Sequence, residues 1–435
     1  MRENGAIIGG GIIGLMMAFG LLNRGVRLAA YERTESYDEI SAGFVFTGVA
    51  RECMKHLDPR VLDALRAVGE VFRHSYHRYW DGFNPTTKEA GQSEDALLFQ
   101  VPAGEQNFWG CLRSHLLLEM FDRLPQGVVK FGKHLDTCVD ESGGKVLLSF
   151  ADGSVVGVDA VIGCDGIRSR TRQILLGEDS LESYASYTHK VAYRAVVPIT
   201  GAIAALGHDK ATNPGAHLGP DAHVVSYPVD KCTLLNLAIF LYDPEPWTEA
   251  KMTAPGSREE VQEALADWSP AVRELVDLLP ERVMKWGIFD NAEHPAPTYA
   301  RGRVCIAGDA AHASSPFHGV GACMGVEDAL VIATVLDMVN TRARDGSIAT
   351  GSVGGAVAST FRSFNAVRLE RSNWMTQSSR EMGDIYEWRH PATGRDAEKC
   401  KAEFERRSRI VWDFDVDKMV AEVKSECGRR LNIWR

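Results

Sequence analysis

The run Gly9-Gly10-Gly11-Ile12-Ile13-Gly14 constrains this chain more than any other feature. It follows a short apolar stretch, Ala6-Ile7-Ile8, that reads as a buried parallel strand. It opens a helix expected over Ile12 to Asn23, with Gly25 at its stop. A second strand is expected from Val26 to Tyr31, ending at Glu32. Strand, glycine turn, helix and strand in about 30 residues make a βαβ-type opening. In that context the spacing G-x-G-x-x-G has a physical meaning. Gly9 permits the tight turn, Gly11 lets the backbone approach a pyrophosphate, and Gly14 lets helix pack on strand. The helix N-terminus offers its unpaired N–H groups to the anion. Glu32 is placed to accept from ribose hydroxyls, and an acid there disfavours a 2′-phosphate. Dinucleotide binding follows; the motif does not separate FAD from NAD.

Composition narrows the class. The charge is 48 − 58 = −10 with no Lys/Arg block, so the electrostatic footprint of a nucleic-acid binder is missing. The nine cysteines are odd in number and scattered, and never form a C-x-x-C pair. That argues against a disulfide framework or a metal site and for a reducing, cytoplasmic compartment. The apolar stretch from Ala6 to Leu22 could pass for a signal or membrane anchor. However, only Arg2 precedes it, glycines interrupt it, and Asn23-Arg24 cut it short, so no membrane span is expected.

Further along, a helical pattern over 48–68 breaks at Pro59, and 76–109 reads as strands and loops. A helix is expected over 112–124. A hairpin turns at Asp152-Gly153 between Val146–Phe150 and Val155–Val158, and a buried strand spans 161–163. Residues 188–242 alternate as β structure, 257–279 read as two helices, and 303–307 read as a strand before a glycine-bearing loop and a helix from about 320. After a loop over 341–355 the remainder is helical and charge-rich. The sum is α/β, with a mostly antiparallel sheet inserted between pieces of a dinucleotide-binding domain. The expected division is 1–75, 105–180 and 290–365 for that domain, 76–104 and 181–289 for the inserted domain, and 366–435 for a C-terminal helical segment.

Two later stretches decide the cofactor. Cys164-Asp165-Gly166 follows one buried strand, and Gly308-Asp309-Ala310-Ala311-His312 follows another, with Pro316, Gly319, Gly321 and Glu327-Asp328-Ala329 downstream. With these motifs in order, the chain resembles the single-component aromatic flavoprotein monooxygenases, the group of para-hydroxybenzoate and salicylate hydroxylases. The resemblance covers nearly the whole chain. It implies a discontinuous Rossmann-like FAD domain of the para-hydroxybenzoate hydroxylase type, an inserted β-sheet substrate domain and C-terminal helices. It also implies FAD as cofactor, NADPH or NADH as cosubstrate, and O2, with oxygen transferred through a flavin C4a-hydroperoxide.

The chemistry can be read beside it. Asp309 can accept from the ribityl chain, and the segment Gly319-Val320-Gly321-Ala322 lets backbone N–H groups approach the pyrimidine edge of the flavin, where negative charge develops on reduction. The family usually has G-Q-G where this chain has Gly319-Val320-Gly321, and often Asn where it has Cys323. The resemblance assigns Arg113 to the FAD pyrophosphate region, counts Gly43 with the cofactor-binding residues, and likens Asp165 to the residue that links FAD and NAD(P)H handling. Arg113 also reads as a solvated helix-start arginine, and Asp165 as a simple turn residue. Arg168, Arg170 and Arg172 read equally as a phosphate-holding cluster or as solvated charge.

A phenol reacts best as phenolate, so a site for it needs a fixed cation and a hydroxyl donor and must exclude water. Arg194, a charge inside an apolar strand-like run, and Tyr227 are the candidates, with an edge-strand arginine and a packed core tyrosine as the plainer readings. The stretches 186–198, 217–228 and 294–330 look closest to the fungal polyketide-pathway hydroxylases of azaphilone and tropolone biosynthesis. These hydroxylate an orcinol- or resorcinol-type aldehyde or ketone with dearomatisation, and the positions matching Arg194 and Tyr227 are implicated in holding the phenolate. His318, beside the flavin loop, is expected either to meet the substrate or to be a satisfied loop histidine. A salicylate-type ring hydroxylase, an FAD-linked dehydrogenase and a non-catalytic FAD carrier are the alternatives, and the intact loop at Gly308-Asp309 argues against the last. The C-terminal helices are expected either to cap the FAD domain or to form a homodimer face.

Overall fold

The computed structural model describes residues 5–37, 43–71, 76–87, 93–102, 108–141, 144–349 and 352–432. Arg2 and residues 350–351 of the expected inter-helix loop lie outside them. The glycine loop sits at the end of a six-stranded sheet, in the order Ala300–Arg301, Val304–Ile306, Ala160–Gly163, Gly5–Ile8, Leu28–Tyr31, Val129–Lys130. All neighbours are parallel except the edge strand Ala300–Arg301. Its central strands are continuous apolar runs because both faces are covered. The second strand begins at Leu28 rather than Val26, because the chain first has to close the preceding helix. Gly25 takes φ +68°, its N–H bonds Leu22 O, and Val26 N–H bonds Leu21 O.

The predicted break at Pro59 is a cap. Helix Gly48–Leu57 stops, Asp58 accepts from Arg60 N–H at 2.9 Å, and Pro59 opens helix Pro59–Val68, where its missing N–H costs nothing.

The inserted sheet has eight strands in the order Thr253–Ser257, Arg282–Asp290, Ser186–Pro198, Leu234–Tyr242, Ala222–Val229, Gly215–Gly219, Tyr76–Thr87, Ser93–Pro102. Its neighbours are antiparallel except Gly215–Gly219 with Tyr76–Thr87. The strands at 253–257 and 282–290 escape sequence reading. The first carries Pro255 and Gly256, which read as loop but are tolerated at a sheet edge.

The period of two then sorts side chains between two cores. Tyr193, Val224, Leu235, Leu237 and Ile239 pack under helices Ile199–Leu206, Arg258–Ala264 and Pro270–Val276. The alternate residues Arg194, His223, Val225, Tyr227, Asn236 and Ala238 face a cavity on the other side.

Helix Gly321–Arg344 is buried along most of its length, and helices Val353–Tyr386, Ala397–Trp412 and Val416–Arg430 follow. The loop expected over 341–355 is shorter, since the first of these helices runs to Arg344 and the next starts at Val353. Among the described residues no helix is long and apolar enough to cross a membrane.

Candidate active site

The three glycines of the motif do three different things. Gly9 has φ +99°, and a Cβ there would stand 2.4 Å from Cys164 O. A Cβ on Gly14 would stand 2.0 Å from Gly9 O, so this glycine seats the helix on the strand. A Cβ on Gly11 would meet nothing nearer than Arg113 Nη2 at 3.8 Å. Among the described residues no contact requires glycine at Gly11, which suits a close-approaching ligand. Helix Ile12–Asn23 starts there with no side-chain cap. Glu32 Oε2 accepts from Gly10 N–H at 2.7 Å, and Oε1 from Thr34 N–H at 2.9 Å. Tyr37 donates to Gly10 O at 2.7 Å, so the loop is held from both sides before any ligand arrives.

A second uncapped helix end opens on the same cavity. Gly319 has φ +68°, and helix Gly321–Arg344 begins with no side-chain cap. Gly319, Val320, Gly321 and Ala322 all line the cavity, as do Gly11, Gly43, Arg113 and Asp309. Asp309 is surrounded by protein yet open to the cavity, and burial raises its carboxyl pKa against the pull of His312 and Arg113. Burial lowers the Arg113 guanidinium pKa, opposed by the nearby charges of Asp309 and Glu32.

The loop carrying Asp309 is pinned by charge beneath it. Asp328 accepts from Gly308 N–H at 2.9 Å and lies 2.6 Å from His312 Nε2. Arg368, fully buried, donates to Asp328 at 2.8 Å and to Glu327, which also pairs with Arg371 at 2.9 Å. This is what Glu327-Asp328 contributes, and Arg368 is its counter-charge. Sequence reading misses Arg368, since nothing local sets it apart from the other arginines of a charge-rich helix.

Asp165 does not line the cavity. Its oxygens accept from Ser169 Oγ at 2.5 Å, Thr171 N–H at 2.9 Å and Thr171 Oγ1 at 3.1 Å, holding the turn into helix Arg170–Leu176. The phosphate-cluster reading fails for Arg172. It is 1% exposed, and its guanidinium donates to the carbonyls of Glu182, Ala310 and Ala311, bracing the Asp309 loop from behind. Arg168 and Arg170 also bond backbone carbonyls, of Ala250 and Asp136.

The cavity, about 480 Å³, runs from the glycine loop to the inserted sheet. Arg194 and Tyr227 line its far part on adjacent rows of the sheet, since Arg194 pairs Ala238 and Tyr227 pairs Asn236. Arg194 Nε is buried without a hydrogen-bond partner, and no carboxylate among the described residues pairs with the group. Its guanidinium sits 5.9 Å from the Trp286 ring centroid. Burial pushes the Tyr227 hydroxyl up to about 12, against the pull of Arg194, so it stays a donor at neutral pH. A buried cation with no counter-charge is costly, and an anionic ligand relieves that cost.

His318 also lines the cavity, but its Nε2 lies 2.9 Å from Ser378 Oγ, and its backbone N–H donates to Ser379 Oγ at 3.2 Å. Burial, and then Arg407, depress its pKa to about 3. The C-terminal helices, whose role the sequence left open between a cap and a dimer face, complete the wall with Tyr386 and Trp412, which the sequence did not single out.

These features fit FAD. Gly11 and Arg113 leave space for an anion, two uncapped helix N-termini open on the same cavity, and Asp309 on its wall can accept a hydroxyl.

A family model described as FAD binding domain matches residues 129–352. An FAD-dependent monooxygenase of Aspergillus terreus is 55% identical over 97% of this chain and 96% of its own. The FAD-dependent monooxygenase pigN of Monascus ruber is 45% identical over 98% and 97%, and the salicylate hydroxylase asL1 of Sarocladium schorii is 42% identical over 97% and 90%. Among solved structures, a salicylate hydroxylase in complex with its substrate superposes with a TM-score of 0.80 at 26% identity, over 97% of this chain and 98% of that one. The chain belongs to the FAD-dependent monooxygenases.

Proposed function

We propose that this enzyme hydroxylates a phenolic polyketide aromatic of the orcinol or resorcinol aldehyde or ketone type, with loss of aromaticity at the attacked carbon. The observation that carries it is Arg194, a guanidinium on the cavity face with a buried, unpartnered Nε and no carboxylate partner among the described residues. A phenolate is the ligand that completes it, and Tyr227 supplies a hydroxyl donor to the same oxygen. Fungal FAD-dependent monooxygenases named pigN and azaH, 45% and 43% identical, support the oxygen-transfer part of this reading.

When bound, FAD supplies reduction by NAD(P)H and delivery of one oxygen atom from O2. The protein's own part is to bind, ionise and orient. Arg194 lowers the cost of the phenolate's charge, which raises electron density at the ring carbons ortho and para to the oxygen. Tyr227 keeps its proton and fixes the direction of approach. The apolar wall of Val225, Ala238, Phe240, Phe317, Tyr386 and Trp412 limits water at the reacting carbon. We assign His318 to positioning, since it ties the flavin loop to helix Val353–Tyr386 through Ser378 and Ser379. The nine free cysteines suit a reducing, cytoplasmic compartment.

The test is NADPH oxidation with product analysis across a panel of alkylated dihydroxybenzaldehydes. The reading expects stimulated oxidation and a product heavier by one oxygen atom. No stimulation by any phenol sinks it, and an aromatic catechol product would favour the salicylate-type reaction.

A further inference from the structure

On the same sheet face as Arg194 lies a second polar side chain, one of whose ring nitrogens has no partner among the described residues. His223 is fully buried and lines the cavity. Its ring is stacked between Phe240, with centroids 4.5 Å apart, and Tyr386, at 4.6 Å, and Phe317 of the flavin loop meets it edge-on at 5.3 Å. Nδ1 lies 3.2 Å from Glu387 Oε1. Nε2 has no hydrogen-bond partner among the described residues.

The neighbours decide which nitrogen carries the proton. Glu387 is fully buried and ion-paired through its other oxygen to Lys190, which also reaches Asp384 at 2.9 Å. Against burial, the hydrogen bond from His223 and then the charge of Lys190 hold the Glu387 carboxyl below its usual range, while burial keeps the imidazole neutral. A carboxylate can only accept, so Nδ1 donates to it and Nε2 is left as a lone pair. A buried acceptor in an apolar surround calls for a donor. No described group donates to Nε2, which leaves it open to a donor that enters the cavity.

We infer that His223 Nε2, oriented by Glu387, accepts a hydrogen bond from a second hydroxyl of the substrate, which makes His223 a specificity-determining residue for dihydroxylated over monohydroxylated rings. This deepens the proposed function and rests on its reading of the cavity as a phenol site. The register supports the span. His223 pairs Phe240, which pairs Ala192, so His223 stands two strands over and one row along from Arg194. Strand spacing and rise put the two Cα atoms roughly 12 Å apart, room for one substituted ring between their side chains. One end then takes an oxygen as anion, and the other takes a neutral O–H.

The test measures dissociation constants on FAD-loaded full-length protein, from the change in the flavin visible spectrum on titration. The probes are 2,4-dihydroxy-6-methylbenzaldehyde and the two analogues that each lack one of its hydroxyls. Wild type is expected to bind the dihydroxy compound about tenfold or more tightly than either analogue. His223→Leu should lose that preference against one analogue only, and Arg194→Ala against the other. If His223→Leu does not hold FAD, His223→Phe, which stacks between the same two rings, carries the same measurement. A His223 variant that keeps the wild-type preference against both analogues overturns this inference and leaves the phenol reading standing. A wild type that binds none of the three overturns the phenol reading, and this inference with it.

Discussion

At the scale of single residues, the motif glycines separate ligand demands from fold demands. Gly11→Ala places a methyl that meets nothing nearer than Arg113 among the described residues, so apoprotein stability should hold within about 1 kcal/mol while FAD affinity falls at least tenfold. Gly14→Ala drives a methyl into Gly9 O and should lower the thermal midpoint of the apoprotein itself. Differential scanning with and without FAD distinguishes the two. Arg194→Ala should keep the protein yellow but cut kcat/KM for its phenol on the order of a hundredfold, the value of a charged hydrogen bond, and Arg194→Lys should restore only part of it. The glycine spacing was legible because each role is local: a φ angle at Gly9, a short Cβ contact at Gly14, and an open approach at Gly11. Arg194 stood out as a charge in an apolar strand, but which face it takes follows from pairing with Ala238, about 40 residues away, which no local pattern reveals.

At the scale of elements, helix Val353–Tyr386 is the buttress of the flavin loop. Arg368→Met would leave Glu327 and Asp328 short of a buried counter-charge and should cost about 3–5 kcal/mol in urea unfolding, with weaker FAD retention on gel filtration. Helix Ala397–Trp412 closes the cavity at its C-terminal end. Trp412→Ala is expected to open a path for water, so that more NADPH is oxidised per product formed, measured as the ratio of peroxide to product. An unchanged ratio would show that Trp412 is not part of the water barrier. The helix break at Pro59 was readable from the proline itself, whereas the strand at Thr253–Ser257 was not, because Pro and Gly mask a strand that exists through its edge pairing with Arg282–Asp290.

At the scale of the molecule, burial of neutral histidines couples the fold to pH. Burial depresses His77 to about 4 and His318 to about 3. Above about 6.5 both are neutral folded or unfolded. As pH falls below that, the unfolded chain takes up protons first, so stability is lost progressively toward pH 4. Each should contribute at most about 2 kcal/mol of loss between pH 7.5 and 5. His77→Phe keeps the stack on Trp412, where the rings are 5.5 Å apart, and should flatten the fall by its own share in urea midpoints across that range. An unaltered slope would show that His77 does not titrate on unfolding.

The sequence by itself determined the βαβ opening and the α/β class, and through its ordered motifs the resemblance that marks the flavin loop. The first two rest on short-range geometry, in glycine turns and apolar periods, that a few neighbouring residues dictate. The tertiary structure decided which charges are at work and which are braces. Arg172 turned from surface charge to a buried brace, Asp165 to a turn anchor, and Arg368 emerged as the counter-charge of Glu327-Asp328. The cavity's polar ends, Arg194 and His223, come from strands brought together by sheet register, and their unpaired atoms are visible only once every other partner is placed. A side chain's partners are a long-range property, and long-range pairing is what folding, rather than local sequence, supplies.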